Sequence, residues 1–262
     1  METVKRPTTV IINSDENGDA RVQYRIEGKT SLVVRIEGKQ PLQLQLDVEV
    51  GPRAVFTFLL INHNEAEVTL LDSYHLLDDS DSVIAYCQLN DQPLHCQSSY
   101  QLDGQGAQLR VQNAALTAKQ KYFSQNTAHN QPHTSADIFN YGIAMNGGYC
   151  DFDVRNRIDK GCRGCETHQT SRILTFDAQS KGRIMPVLYI DDNDVKASHA
   201  ATMGQPDAEQ VFYMQTRGLS RQDAMKLITI GYLMPISKVI DDADLNNLLK
   251  QEIETKVSQC LM

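Results

Sequence analysis

Two cysteines separated by two residues, in the run Cys162-Arg-Gly-Cys165, are the side chains best spaced to share a soft metal, and His168 follows three residues on. Thiolates on either side of a turn can hold one ion, and sulfur suits zinc and iron–sulfur centres. A closed tetrahedral site takes four ligands, and the chain has no second pair at this spacing. Cys150, His168 and His199 can complete a site if the fold stacks their segments. The same two cysteines also read as small residues at a tight corner. His199, near the end of a strand-like run, reads as an iron ligand when neutral or as a satisfied surface group. His129-Asn-Gln-Pro-His133 places two histidines around a proline, a spacing that fits a hydrogen-bonded turn as well as a metal. Asp78-Asp-Ser-Asp81 reads as a solvated loop.

The remaining catalytic vocabulary is missing. The chain contains no Gly-x-x-x-x-Gly-Lys-(Ser/Thr), Gly-x-Ser-x-Gly, His-Glu-x-x-His or Gly-x-Gly-x-x-Gly, which argues against an enzyme built on those motifs. A net charge of −8 over 262 residues disfavours nucleic acid and anionic membranes as main partners. No apolar run approaches the roughly 18 residues of a membrane span. Met1-Glu-Thr-Val-Lys-Arg-Pro lacks the apolar stretch of a signal peptide, so the expected compartment is the cytoplasm and the six cysteines are expected as thiols.

These residues must be positioned mostly by strands. Leu42, Leu44, Leu46, Val48 and Val50 alternate with polar residues, the period of a half-buried strand. Similar runs recur at 54–61, 67–71, 83–89, 108–112, 137–145, 149–155, 172–176 and 183–190, separated by turn residues such as Gly51-Pro52 and Asn146-Gly-Gly148. Many short strands mean a sandwich, a barrel or a solenoid, and no fixed repeat chooses among them. Residues 1–29 read as a polar, turn-rich lead-in around Asn13-Ser-Asp-Glu-Asn-Gly18. From Asp207 the period changes. Asp207 and Ser220 are N-cap candidates, Gly218 supplies a left-handed stop, and Pro235 ends the second helix. Leu245, Leu248, Leu249, Ile253, Val257 and Leu261 mark a third amphipathic helix.

The stretch Ser198-His-Ala-Ala-Thr-Met-Gly204, followed by Gln210-Val-Phe-Tyr-Met-Gln-Thr-Arg-Gly218, resembles the C-terminal signature of the SufB/SufD family of iron–sulfur cluster assembly proteins. His129-Asn-Gln-Pro-His-Thr-Ser-Ala-Asp137 and Glu166-Thr-His-Gln-Thr-Ser resemble further segments of that family. The neighbours of His199 are Ser198 and Ala200, which is closer to SufD than to SufB. On this register Thr170 stands where SufB-type scaffolds carry a thiolate. The resemblance is densest from His129 to Gly231, and the chain is similar to a short form without the family's N-terminal helical extension.

The resemblance implies a right-handed parallel β-helix over 30–206 followed by a helical segment, 207–262, that caps the coil. It implies a non-enzymatic SufD-like subunit, dimeric with a SufB/SufD-type chain through the β-helix, which docks a SufC-like ABC ATPase through Tyr213, Met214, Arg217 and Gly218. His199, Cys162, Cys165 and His168 are then the candidate ligands of iron or an iron–sulfur cluster, resident or in transit. The alternative is a stand-alone metal-binding or metal-sensing protein using Cys150, Cys162, Cys165 and His168. A β-helical carbohydrate-active enzyme would need paired catalytic carboxylates, and the sequence singles out none.

Overall fold

Alternation over runs of eight to eleven residues produces strands that bury one face; the described residues form fourteen such strands and two shorter ones, and all sixteen coil. The computed structural model describes residues 1–260; Leu261, the last residue of the expected third stripe, and the side chain of Cys260 lie outside the described residues. One eight-stranded sheet contains β1 (Glu2–Val4), β3 (Asp19–Ile26), β5 (Leu42–Val50), β7 (Val68–Leu76), β9 (Leu94–Leu102), β11 (Gln120–His129), β13 (Tyr149–Ile158) and β15 (Lys181–Ile190). The other contains β2 (Thr8–Asn13), β4 (Lys29–Glu37), β6 (Val55–Asn62), β8 (Asp81–Gln88), β10 (Gln108–Thr117), β12 (Ser135–Ala144), β14 (Cys165–Thr175) and β16 (Val195–Gly204). Each strand pairs in parallel with the strand two places along the chain, so the polypeptide winds as a parallel β-helix.

The register explains why the coil closes on itself. Inward positions stack in columns, Leu44 on Leu70, Cys96, Phe123 and Phe152 in the first sheet, and Leu32 on Phe58, Ile84, Val111 and Ile138 in the second. Rungs about 4.8 Å apart bring these side chains into contact, and burial stabilises each by about 1.5–3 kcal/mol. Register partners lie 26 residues apart at Leu44 and Leu70 but 32 apart at Phe152 and Ile184. Corners that lengthen toward the C-terminus therefore hide the repeat from a search for a fixed period.

Two expectations are corrected. Residues 1–29 are more than a polar, turn-rich lead-in: β1, β2 and β3 form there, and Asn13-Ser-Asp-Glu-Asn-Gly18 is the corner between two strands. Ser14 Oγ accepts from the Gln40 amide at 3.2 Å and donates to Asn64 Oδ1 at 2.8 Å, which ties that corner to the next two. Nor do the C-terminal helices cap an end of the coil. α1 (Ala208–Thr216), α2 (Arg221–Leu233), a 3₁₀ turn (Met234–Lys238) and α3 (Ala243–Cys260) lie on the outer flank of the second sheet. There Leu59, Ile61, Leu116 and Ile143 point outward and pack against Ile228, Leu233, Leu249 and Ile253. Strands buried on both faces read as continuous apolar runs, as in Phe58-Leu-Leu-Ile61.

The helix ends are set by the residues the sequence marked. Asp207 accepts from the Glu209 amide at 2.8 Å, and Ser220 accepts from the Asp223 amide at 3.0 Å. Gly218, at φ +92°, ends α1 in the left-handed conformation. Among the described residues no helix is long and apolar enough to cross a membrane.

Candidate functional site

β15 and β16 each pair on one side only, so the coil ends in two unpaired edges. His199 lies on β16 in register with the inward Gln169 of β14, at the open end of the lumen, and is exposed. Met203 on the same strand and Tyr189 on β15 are each 53% exposed. An unpaired edge flanked by apolar side chains is a template for another chain.

Pleat parity separates the predicted ligands. Cys165 and Gln169 point into the lumen, whereas His168 and Thr170 point outward. His168 Nδ1 lies 2.7 Å from Ser198 Oγ on the outer face. Cys162 and Cys165 pack together with Ile158 in a small apolar cluster at the corner before β14. Desolvation pushes the Cys162 thiol up. Cys150 is also inward but stands at the start of β13, and Ile158, at the other end of that strand, is the residue that touches the cysteine corner. Eight residues of strand span about 26 Å, so Cys150 does not join Cys162 and Cys165. It neighbours Lys121, and burial pushes its thiol up to about 12. Thiolates, not thiols, ligate metals.

The two motifs that read as alternative metal sites do meet, at neighbouring corners. His129 Nδ1 lies 2.8 Å from Thr134 Oγ1, which lies 3.1 Å from Cys165 Sγ. Burial holds the His129 imidazole down at about 4, hence neutral. Gly164, at φ +69°, passes so close to the His133 ring that a Cβ there would collide with it, which explains the glycine between the cysteines. Among the described residues, no three His, Cys, Asp or Glu side chains gather closely enough to hold a metal ion.

On the flank, Val211 is buried and Met214 partly so, while Tyr213 is 58% exposed. The Arg217 guanidinium lies 5.2 Å from the Tyr213 ring centroid and donates to its hydroxyl at 3.0 Å, while Gly218 follows at the helix end. Phe212, 68% exposed, is the residue that sequence reasoning missed. Its signal was present, since Val211 and Met214 define the buried side of α1 and Phe212 falls outside it.

Fold and site together describe a coiled scaffold with an uncovered end, an aromatic patch on its helices and no gathered metal ligands of its own among the described residues. The description "SUF system FeS cluster assembly, SufBD core domain" matches residues 4–232. The chain belongs to this family of iron–sulfur cluster assembly proteins, whose SufD members are non-catalytic scaffold subunits. It is similar to the iron–sulfur cluster assembly protein SufD of Bacillus subtilis (strain 168), 30% identical over 120 residues that cover 46% of this chain and 28% of that protein. It is similar to the protein of the same name from Escherichia coli (strain K12), 26% identical over 203 residues that cover 77% of this chain and 46% of that protein. An iron–sulfur cluster assembly SufBD family protein of Mycobacterium tuberculosis (strain ATCC 25618 / H37Rv) is 29% identical over 132 residues, 49% of this chain and 16% of that protein. The matched region thus spans less than half of each of these relatives.

Proposed function

We propose that the chain is a SufD-like subunit of an iron–sulfur assembly complex that pairs through its open rung with a SufB/SufD-type chain. The observation that carries this reading is the uncovered pair of edges, β15 and β16, with His199 at the mouth of the lumen. Iron or a cluster is then cargo held between two chains, His199 contributing one ligand and the partner the others. The separation of Cys150 and His168 from the Cys162–Cys165 corner favours this shared site over the stand-alone metal site. Functionally we divide the chain at Asp207, with the coil as pairing unit and the helices as docking unit for a SufC-like ABC ATPase. Phe212, Tyr213, Met214 and Arg217 form the docking patch, and Gly218 fixes where it ends.

Co-purification of the full chain with each candidate partner tests both halves. Phe212→Asp with Tyr213→Asp should abolish ATPase capture and leave the circular dichroism spectrum unchanged; undiminished capture refutes the docking patch. Anaerobic iron–sulfide reconstitution should colour the paired complex and not the isolated chain. His199→Ala should weaken that absorbance, and Cys162→Ser with Cys165→Ser should leave it. Loss of colour in the double serine variant would return the site to the cysteine corner.

A further inference from the structure

The lumen is not uniformly dry. Along the second sheet one inward column carries Tyr86, Asn113, Asn140 and Ser171 on successive strands. Across from it the first sheet carries Asp72, Ser98 and Gln125 in one column. Hydrogen bonds cross between the columns: Tyr86 donates to Asp72 Oδ2 at 2.5 Å and Asn140 to Gln125 Oε1 at 2.8 Å. The next rung positions add Asn156, whose amide donates to Thr167 Oγ1 at 2.5 Å, and Gln169, whose amide donates to the Val154 and Val187 carbonyls.

What this network leaves over is consistent. The side-chain oxygens of Asn140, Asn156 and Gln169, the Oδ1 of Asp72 and both amide atoms of Asn113 are buried without a protein partner. All five side chains are more than nine-tenths buried. Buried polar atoms in folded proteins find partners, in protein or in ordered water. Flipping the amides of Asn140, Asn156 or Gln169 does not remove the problem, since each oxygen would exchange places with a nitrogen that is now satisfied, and Asn113 lacks a partner for both of its amide atoms.

We propose that this polar seam is filled by a file of ordered water running from Asp72 to the open end of the coil beneath His199. The acceptors are amide oxygens and hydroxyls, and the seam's one carboxylate stands at its closed end, a donor set that suits water. A hard divalent cation takes a shell of oxygens usually rich in carboxylates. Buried waters occur at roughly one per 27 residues, so a chain of this length holds about ten, and the seam's orphan atoms line up partners for a share of them. The proposal is independent of any partner or cargo.

Oxygen-17 relaxation dispersion on the whole chain counts waters that stay bound beyond microseconds; a file is expected, and a count of zero overturns it. A crystal structure refined with ordered solvent should place waters on Asn113, Asn140 and Gln169. Re-paired side chains in a dry lumen, or a rubidium anomalous peak in soaked crystals, would overturn the assignment to water. Asn140→Leu, apolar and close in volume, sits midway along the seam and should remove the waters on either side of it. An undiminished count in that variant, once folding is verified by circular dichroism, also refutes the file.

Discussion

Asp72 is the clearest case of a single residue whose environment sets a measurable quantity. Desolvation raises its carboxyl from 3.8 to about 6, partly offset by the Ser98, Tyr86 and Tyr74 hydroxyls. A raised acid binds more protons folded than unfolded between these values, so its contribution to stability grows as pH falls from about 6 to about 4. His129 works against it. Its folded value is depressed to about 4 from 6.5 by burial, so its contribution is lost as pH falls through the same window. Asp72→Asn isolates the first effect: urea unfolding at pH 7 should find the variant more stable by up to about 3 kcal/mol, with the advantage gone near pH 4. A variant less stable at both pH values would mean that the tyrosine hydrogen bonds outweigh the desolvated charge. Neither residue's role was legible in the sequence, because an aspartate between Leu71 and Ser73 gives no sign of which way its strand faces inside a coil.

At the scale of elements, the alternation from Leu42 to Val50 fixed a strand correctly, and so did the capping residues at Asp207, Ser220 and Gly218. What the periodicity could not supply was the surface each element meets. Leu59 and Ile61 extend the inward pattern of β6 into an unbroken apolar run only because α2, α3 and the 3₁₀ turn lie over them. Residues 8–13 and 19–26 escaped notice because strands near the end of the coil are half exposed, and the second of them carries Asp19, Arg21 and Arg25 on alternating positions. Likewise the cysteine pair and His168 looked like one site by spacing, and strand parity puts them on opposite faces. The flank packing leads to a firm expectation. Ile253→Ala, at a fully buried position of α3, should cost about 2–5 kcal/mol in urea unfolding. Ser220→Ala, which removes a cap that also donates to Asp223 Oδ2 at 2.6 Å, should cost about 1 kcal/mol. Equal effects would contradict the ranking of burial over capping.

For the whole molecule the decisive fact is that a flank is covered while the ends are left open. One flank is covered by helices, and both ends carry strands paired on one side. Charges placed on an edge block pairing, so Ala201→Lys with Met203→Lys should shift any dimeric complex to monomer in light scattering while leaving the unfolding midpoint almost unchanged. A persistent dimer would place the pairing surface elsewhere. The family was legible from the residues around His199 and the helix that follows. The geometry of the proposed shared site was not, because in that reading it takes ligands from a second chain.

The position of the helices also bears on how the molecule is made. Strands emerge from the ribosome in the order in which they stack, so each rung can settle on the one before it as soon as it is synthesised. The apolar row on the outside of that stack, from Val33 through Leu59, Ala85 and Leu116 to Ile143, has no cover until α2 and α3 have been made. The first rungs therefore wait for the last fifth of the chain with a hydrophobic stripe facing solvent. Slow translation or truncation beyond Gly204 should expose a surface that chaperones recognise, in a protein whose coil is already wound.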